Sequence, residues 1–295
     1  MKRKAYGRDT GLSLRMLFAG GALGLLYVAF AAVLITFLDV GLVPMIVILA
    51  GFAFFQYYTS DKLALMASGA KVVTPEQAPE LHAMVERLCA MADLPKPKVA
   101  VIETDVPNAF ATGRSPKHSA VAVTTGLWNR LEPREVEGVI AHELSHIANR
   151  DVLVMTLASF FAMIAGLITR WGLLMGGGRR DARVWIFVFL ASVVTYVVSY
   201  VLIRTISRYR EYSADRGAAL ITGAPEYLMS ALQKIASQMT RIPQRDLREV
   251  ESMNAFFIIP TNVKSSLGEL FSTHPPLEKR LANLAKVARE MGQLG

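Results

Sequence analysis

The sequence predicts a mainly α-helical membrane protein, with two apolar helical hairpins alternating with soluble segments that carry a small β-sheet. Three observations predict it. Hydrophobic residues make up 53% of the 295-residue chain and charged residues 19%, against about 25% charged in an ordinary soluble domain. The apolar excess is gathered into four blocks, each close to the roughly 20 residues a helix needs to cross a bilayer core. Between the blocks the pattern is helical, with two short Val- and Thr-rich runs. This composition excludes a disordered chain and an ordinary cytosolic enzyme. It also excludes a disulfide scaffold, because Cys89 is the one cysteine. The net charge of +8 points to anionic lipid and membrane orientation, not to nucleic acid.

The blocks run over residues 16–38, 40–60, 152–169 and 184–203. The first is too long for a signal-peptide core, and the second follows after one Asp, so the start reads as an uncleaved hairpin. Lys2, Arg3, Lys4, Arg8 and Arg15 precede it, which places the 1–15 tail in the cytoplasm. The second hairpin turns through Arg179, Arg180 and Arg183, against the positive-inside bias. Whether or not it crosses fully, its two ends lie on one side. The soluble segments 61–151 and 204–295 are expected to fold together.

In the first segment a helix is expected over Pro75–Met91, strands over Lys98–Ile102 and Ala120–Thr124, and a turn after Ala111. Pro133 opens a helix running at least to Asn149, since its missing N–H costs nothing in the first turn. In the second segment helices are expected over Ile206–Thr222, stopped by Gly223, over Pro225–Met239 and over Pro275–Met291. Residues 241–263 show no period and are a candidate lid. His82, on a helix surface, and His118, in a loop, have no partner pattern.

Within the Pro133 helix stands His142-Glu143-Leu144-Ser145-His146. Positions i and i+4 share a helix face, so both imidazoles can reach one metal, and Glu143 can take a proton from water activated there. With five histidines in the chain, chance seldom yields this spacing. A catalytic zinc needs a third protein ligand and an open fourth position. Asp181 lies in the far loop of the hairpin, Glu226 begins a later helix, and Asp151 would sit about 140° around a continuous helix from His146. Glu211 follows the fourth block, where the hairpin returns the chain to its starting side, and is the expected third ligand. Asp215, one turn on, suits an acceptor that orients a metal-bound imidazole. A continuous helix would put the metal roughly 9 Å from the start of the third block, near the membrane surface, favouring segments of membrane proteins as substrates.

The HELSH motif, with Glu211-Tyr-Ser-Ala-Asp215 downstream, resembles the HtpX group of membrane zinc endopeptidases, relatives of the type I CAAX prenyl proteases and Oma-type stress proteases. The resemblance spans essentially the whole chain. It implies a gluzincin-like zinc protease domain with one Zn2+ per chain, in a multi-pass protein of the bacterial inner (plasma) membrane. It implies that the chain cleaves membrane proteins, misfolded ones included, on the cytoplasmic side in quality control. Residues 108–113, Asn-Ala-Phe-Ala-Thr-Gly, are similar to the family's strand beside the active site. That implies substrate binding at Asn108, Ala109 and Phe110 by β-augmentation. Ser272-Thr-His-Pro-Pro276 with Arg280 is similar to its C-terminal motif, implying that His274 donates to the oxyanion and that Arg280 assists or binds substrate carbonyls. The rivals are a CAAX-type processing protease and a zinc-stabilised scaffold or chaperone without turnover, the latter opposed by the intact Glu143.

Overall fold

The computed structural model describes residues 10–38, 42–175, 182–239 and 274–292. These are mostly helical, with one four-stranded sheet, and divide into two compact units. One gathers the described residues of Thr59–Val152 and Arg208–Gly295, the other those of Asp9–Tyr58 and Leu153–Ser207. Residues 241–263, Ser272, Arg179 and Arg180 lie outside the described residues.

The apolar unit is built from α1 (Thr10–Leu38), most of α2 (Leu42–Ala67), most of α6 (Asp151–Met175) and the first part of α7 (Ala182–Thr222). Among the described residues, three helices are long and apolar enough to cross a membrane, over Leu14–Thr36, Asp151–Thr169 and Arg183–Thr222. Ala19, Leu23, Tyr27, Ala158 and Ile206 pack together, and Phe30, Leu34, Ala165 and Val188 form a second cluster. The Tyr27 hydroxyl donates to the Ala158 carbonyl. Ser159, Thr169 and Ser192 each donate to the carbonyl one turn back. Their hydroxyls are thus satisfied inside the helix, as apolar surroundings require. Phe18, Leu25, Ile186, Leu190 and Val194 are exposed, an apolar surface suited to lipid.

The other unit holds the sheet, ordered β1 (Lys71–Val72), β2 (Lys98–Ile102), β4 (His118–Thr124), β3 (Ala109–Ser115). β2 runs parallel to β4, while β3 is antiparallel to β4 and forms the edge among the described residues. Both faces of the sheet are covered. Val99, Val121, Val123 and Ala109 pack into the main core with α3 (Pro79–Ala92), α5 (Pro133–Asn149) and α8 (Pro225–Met239). Ala100, Ile102, Phe110 and Ala122 pack on Leu65 and Ala70. Period-two alternation along each strand makes this division. α4 (Thr125–Arg130) is capped by Thr124, which accepts from the Leu127 N–H, and α9 (Leu277–Glu290) packs on α8.

Five expectations are corrected. The first soluble helix opens at Pro79, not Pro75. A helix already under way would leave Pro79 clashing with the carbonyl four residues back, whereas the first turn tolerates it. β3 continues past Ala111 to Ser115 where a turn was expected. Gly113, at φ +140, lets it do so through a register irregularity. His82 is buried, with Nε2 3.0 Å from the Val73 carbonyl, and His118 is the first residue of β4. The fourth block and the helix expected after it form one helix of 41 residues, since no Gly or Pro lies between them.

α5 is fixed at its start by a capping box: the Glu132 N–H donates to the Glu135 carboxylate at 2.8 Å, behind Pro133. Glu135 also accepts from the Ser230 hydroxyl at 2.6 Å and pairs with Lys234 at 2.7 Å, tying α5 to α8. Gly138 lets the two helices close: a Cβ there would lie 2.7 Å from the Leu228 backbone nitrogen. Replacing Gly138 with Ala should therefore lower stability by about 1–3 kcal/mol, read as a drop in the thermal midpoint. An unchanged midpoint would show that α8 yields.

Candidate metal centre and active site

α5 carries His142, Glu143 and His146 on its buried side, at 1%, 5% and intermediate exposure. α7 brings Glu211 and Asp215 to them. Its approach depends on Gly217, where a Cβ would overlap the Ser145 hydroxyl on α5. One ligand atom from each of His142, His146 and Glu211 lies within 4.8 Å of the others. The two imidazole Nε2 atoms are 3.1 Å apart, and each is 3.5 Å from a Glu211 carboxylate oxygen.

The other nitrogen of each ring is engaged. His142 Nδ1 is 3.0 Å from Asp215 Oδ1, and His146 Nδ1 is 2.6 Å from Asp151 Oδ2. A ring that donates through Nδ1 presents its Nε2 lone pair outward. Both rings therefore aim acceptors at one point beside a carboxylate. Glu211 Oε2 is buried without a hydrogen-bond donor among the described residues. It lies 3.0 Å from His274 Nδ1 and 3.7 Å from an Arg280 nitrogen, charge contacts that lack hydrogen-bond alignment. A buried acceptor in this state, facing two imidazole lone pairs, fits a cation. A His2Glu set is the donor chemistry of a catalytic metal site.

The buried charges balance in a definite order. Arg280, 1% exposed, reaches Asp215 through two nitrogens at 2.6 and 3.0 Å, a paired geometry that holds both groups ionised in a dry place. Burial opposes charge on His142, but the neighbouring carboxylates of Asp215 and Glu211 outweigh this and push its pKa up to about 9. Burial raises the Glu143 pKa. One Glu143 oxygen accepts from the Ala111 N–H at 2.8 Å.

The pleat explains that last contact. The Asn108 carbonyl accepts from Thr124, so Asn108 turns its backbone to β4, and by alternation Ala109 and Ala111 turn theirs away, toward α5. A narrow cleft of about 10 Å3 lies there, lined by Ala111, Gly113, His146, Ile147 and Asp151 among others. A roomier cavity of about 320 Å3, lined by Leu81, Val101, Val123 and Trp128 among others, holds none of these site residues.

The structure brings His142, Glu143, His146, Glu211, Asp215, His274 and Arg280 together, and sets Ala109 on the strand beside them. Asn108 is 3% exposed, just before that strand. Two substrate-binding expectations change. The Phe110 side chain packs on Ala100 and Ile102, in the core on one face of the sheet. Arg280 is turned into the protein onto Asp215, because a buried carboxylate needs a cation more than a solvent-facing substrate does. Asp151 was missed. The helix is not continuous: Arg150 adopts the left-handed conformation, φ 56, and closes α5, so α6 restarts at Asp151. This turn carries the Asp151 carboxylate onto His146. The available signal was an Asn149-Arg150-Asp151 run, in which Asp begins a new helix well.

A model of peptidase family M48 matches residues 75–288. The chain is 54% identical to the protease HtpX homolog of Moorella thermoacetica over 98% of both chains. It is 52% identical to the protease HtpX homolog 2 of Methanosarcina acetivorans, over 99% of this chain and all of that one. The crystal structure of S. mikatae Ste24p is similar in fold, with a TM-score of 0.53 at 17% identity, covering 94% of this chain and 65% of that one.

Two outcomes are expected from this geometry. Replacing Arg280 with Met strands Asp215 without its cation and should cost about 3–5 kcal/mol of stability. Full stability with only a raised KM would return Arg280 to substrate binding. Below about pH 9 the metal-free His142 carries a proton that a metal must displace. Metal affinity should therefore rise with pH, by about tenfold per unit for one displaced proton, and level off above that pKa. Chelator competition across pH 6–10 reads it, and a flat profile would contradict it.

Proposed function

The chain belongs to peptidase family M48 and is a membrane metalloendopeptidase, and on that premise we propose that it hydrolyses peptide bonds of membrane proteins with one zinc ion held by His142, His146 and Glu211. The observation that carries this is the convergence of three ligand atoms within 4.8 Å, with Glu143 on the same helix. A zinc ion bound there supplies Lewis acidity, making water a nucleophile near neutral pH.

The protein's own groups do the rest. Glu143 accepts the proton from the attacking water and passes it to the leaving amine. The Ala111 N–H holds one Glu143 oxygen, which fixes the carboxylate and leaves the other oxygen for the proton. Its raised pKa makes Glu143 a better proton acceptor than an ordinary glutamate. His274, 3.0 Å from Glu211, is close enough to the centre to donate to the scissile carbonyl oxygen as charge builds on it. An extended substrate pairs with the outer edge of β3 through the Ala109 backbone and the Ala111 carbonyl, which turn away from β4. Asn108 precedes that edge and sets where the strand begins. Asp215 and Arg280 position His142.

The substrates are segments of membrane proteins beside the cytoplasmic surface of the plasma membrane, and the role is quality control. The basic residues ahead of the first apolar block support that side. The full-length likeness to proteins named protease HtpX homolog supports the proteolytic activity.

The test is Glu143→Gln in the full-length chain in detergent. It should keep one metal per chain and lose proteolysis by about 10²–10⁴-fold. Activity within a few-fold of wild type would remove Glu143 from the reaction. Glu211→Gln should instead lower metal retention, and unchanged stoichiometry would count against its place as a ligand.

A further inference from the structure

Each imidazole of the metal centre is backed by a buried aspartate, and each aspartate by an arginine. On one side stand His142, Asp215 and Arg280, joined at 3.0 and 2.6 Å. On the other stand His146, Asp151 and Arg210, joined at 2.6 and 3.1 Å. Asp151 is 2% exposed and the Arg210 side chain 12%. The Arg210 contact is a charge pair rather than an aligned hydrogen bond. We propose that Asp151, held by Arg210, is the positioning residue for His146. It fixes the ring with Nδ1–H donating to Asp151 and Nε2 turned to the metal.

α5 ends at Asn149, and Arg150 takes a conformation with φ 56, costly for a residue with a Cβ. The turn makes Asp151 the first residue of α6 and swings its carboxylate back onto a ring five positions earlier. An unbroken helix would hold the two side chains apart. Arg210 directly precedes the ligand Glu211 on α7. A single pair of side chains therefore links the start of α6, the His146 ring and the stretch of α7 that carries Glu211. The His142 arm runs through α7 to α9 and the His146 arm through α6 to α7, so the two arms meet on α7 and support one ligand set.

A competing role is local. An Asp in the first turn of α6 favours the helix by its charge and cap chemistry alone. Serine separates the two, because it caps a helix well but is too short to reach the ring. This inference rests on the proposed metal site, so the experiment begins with metal binding by the wild-type chain.

The full-length protein in detergent is stripped of metal, and its Zn2+ affinity is measured by chelator competition, with the Co2+ absorption spectrum as a report on ligand geometry. Asp151→Ser should lower Zn2+ affinity by about 10–100-fold and change the Co2+ spectrum, both measured on protein that still unfolds cooperatively. Arg210→Gln should give a smaller loss in the same direction. Zn2+ affinity within twofold of wild type and an unaltered Co2+ spectrum in Asp151→Ser would overturn the proposal. Should that variant fail to fold, Asp151→Asn and Arg210→Gln decide, and wild-type affinity in both overturns it. Failure of the wild-type chain to take up one metal per chain, or unchanged uptake in His142→Ala, would sink the metal-site reading itself.

Discussion

Two imidazoles and a carboxylate are held within 4.8 Å of one another inside the protein, and the rest of the catalytic unit is arranged to make that tolerable. Polar groups buried so close together are expensive without partners. Each ring nitrogen facing away from the shared point is therefore matched to an aspartate. Each aspartate is matched to an arginine. The chain of partners stops only at the shared point, where Glu211 Oε2 has no donor among the described residues. The surplus of negative charge there, set against two lone pairs, is what a divalent metal answers.

That arrangement dictates how the helices pack. α5 must present one face to β3, α3 and α8 and still offer His142 and His146 to α7. Its apolar residues Val136, Val139, Ile140 and Leu144 occupy the core, while the motif residues share the remaining surface with Ser145, which Gly217 lets α7 approach. α9 then closes over α8 and delivers Arg280. Arg280 is among the largest fully buried side chains of the unit, and in an otherwise apolar core such a residue is held by its ion pair.

The sheet serves the same centre. Covered on both faces by Val121 and Val123 on one side and Ala122 on the other, it makes β3 a rigid edge. The Ala111 N–H at that edge reaches Glu143. One hydrogen bond thus ties the strand proposed to hold substrate to the residue proposed to move the proton, so a shift of the strand would disturb both.

The sequence by itself determined the local events. It placed the starts of α5 and α8 and the end of α7, because Pro133, Pro225 and Gly223 act on their own neighbours. It also marked β2 and the metal-ligating residue types, because helical spacing alone puts His142 and His146 on one face. Two matters turn on local signals that compete, and two were decided only by the tertiary structure. Pro79 rather than Pro75 opens α3; α7 runs unbroken through the hairpin into the catalytic unit. Arg280 turns inward to Asp215, and Asp151 reaches His146 through the turn at Arg150. The physical reason is common to the last two. Which aspartate an arginine meets, or which ring a carboxylate meets, depends on how far each is buried and what else needs a counter-charge. Burial is a property of the packed chain, while spacing along the sequence records only which residues are neighbours on one element.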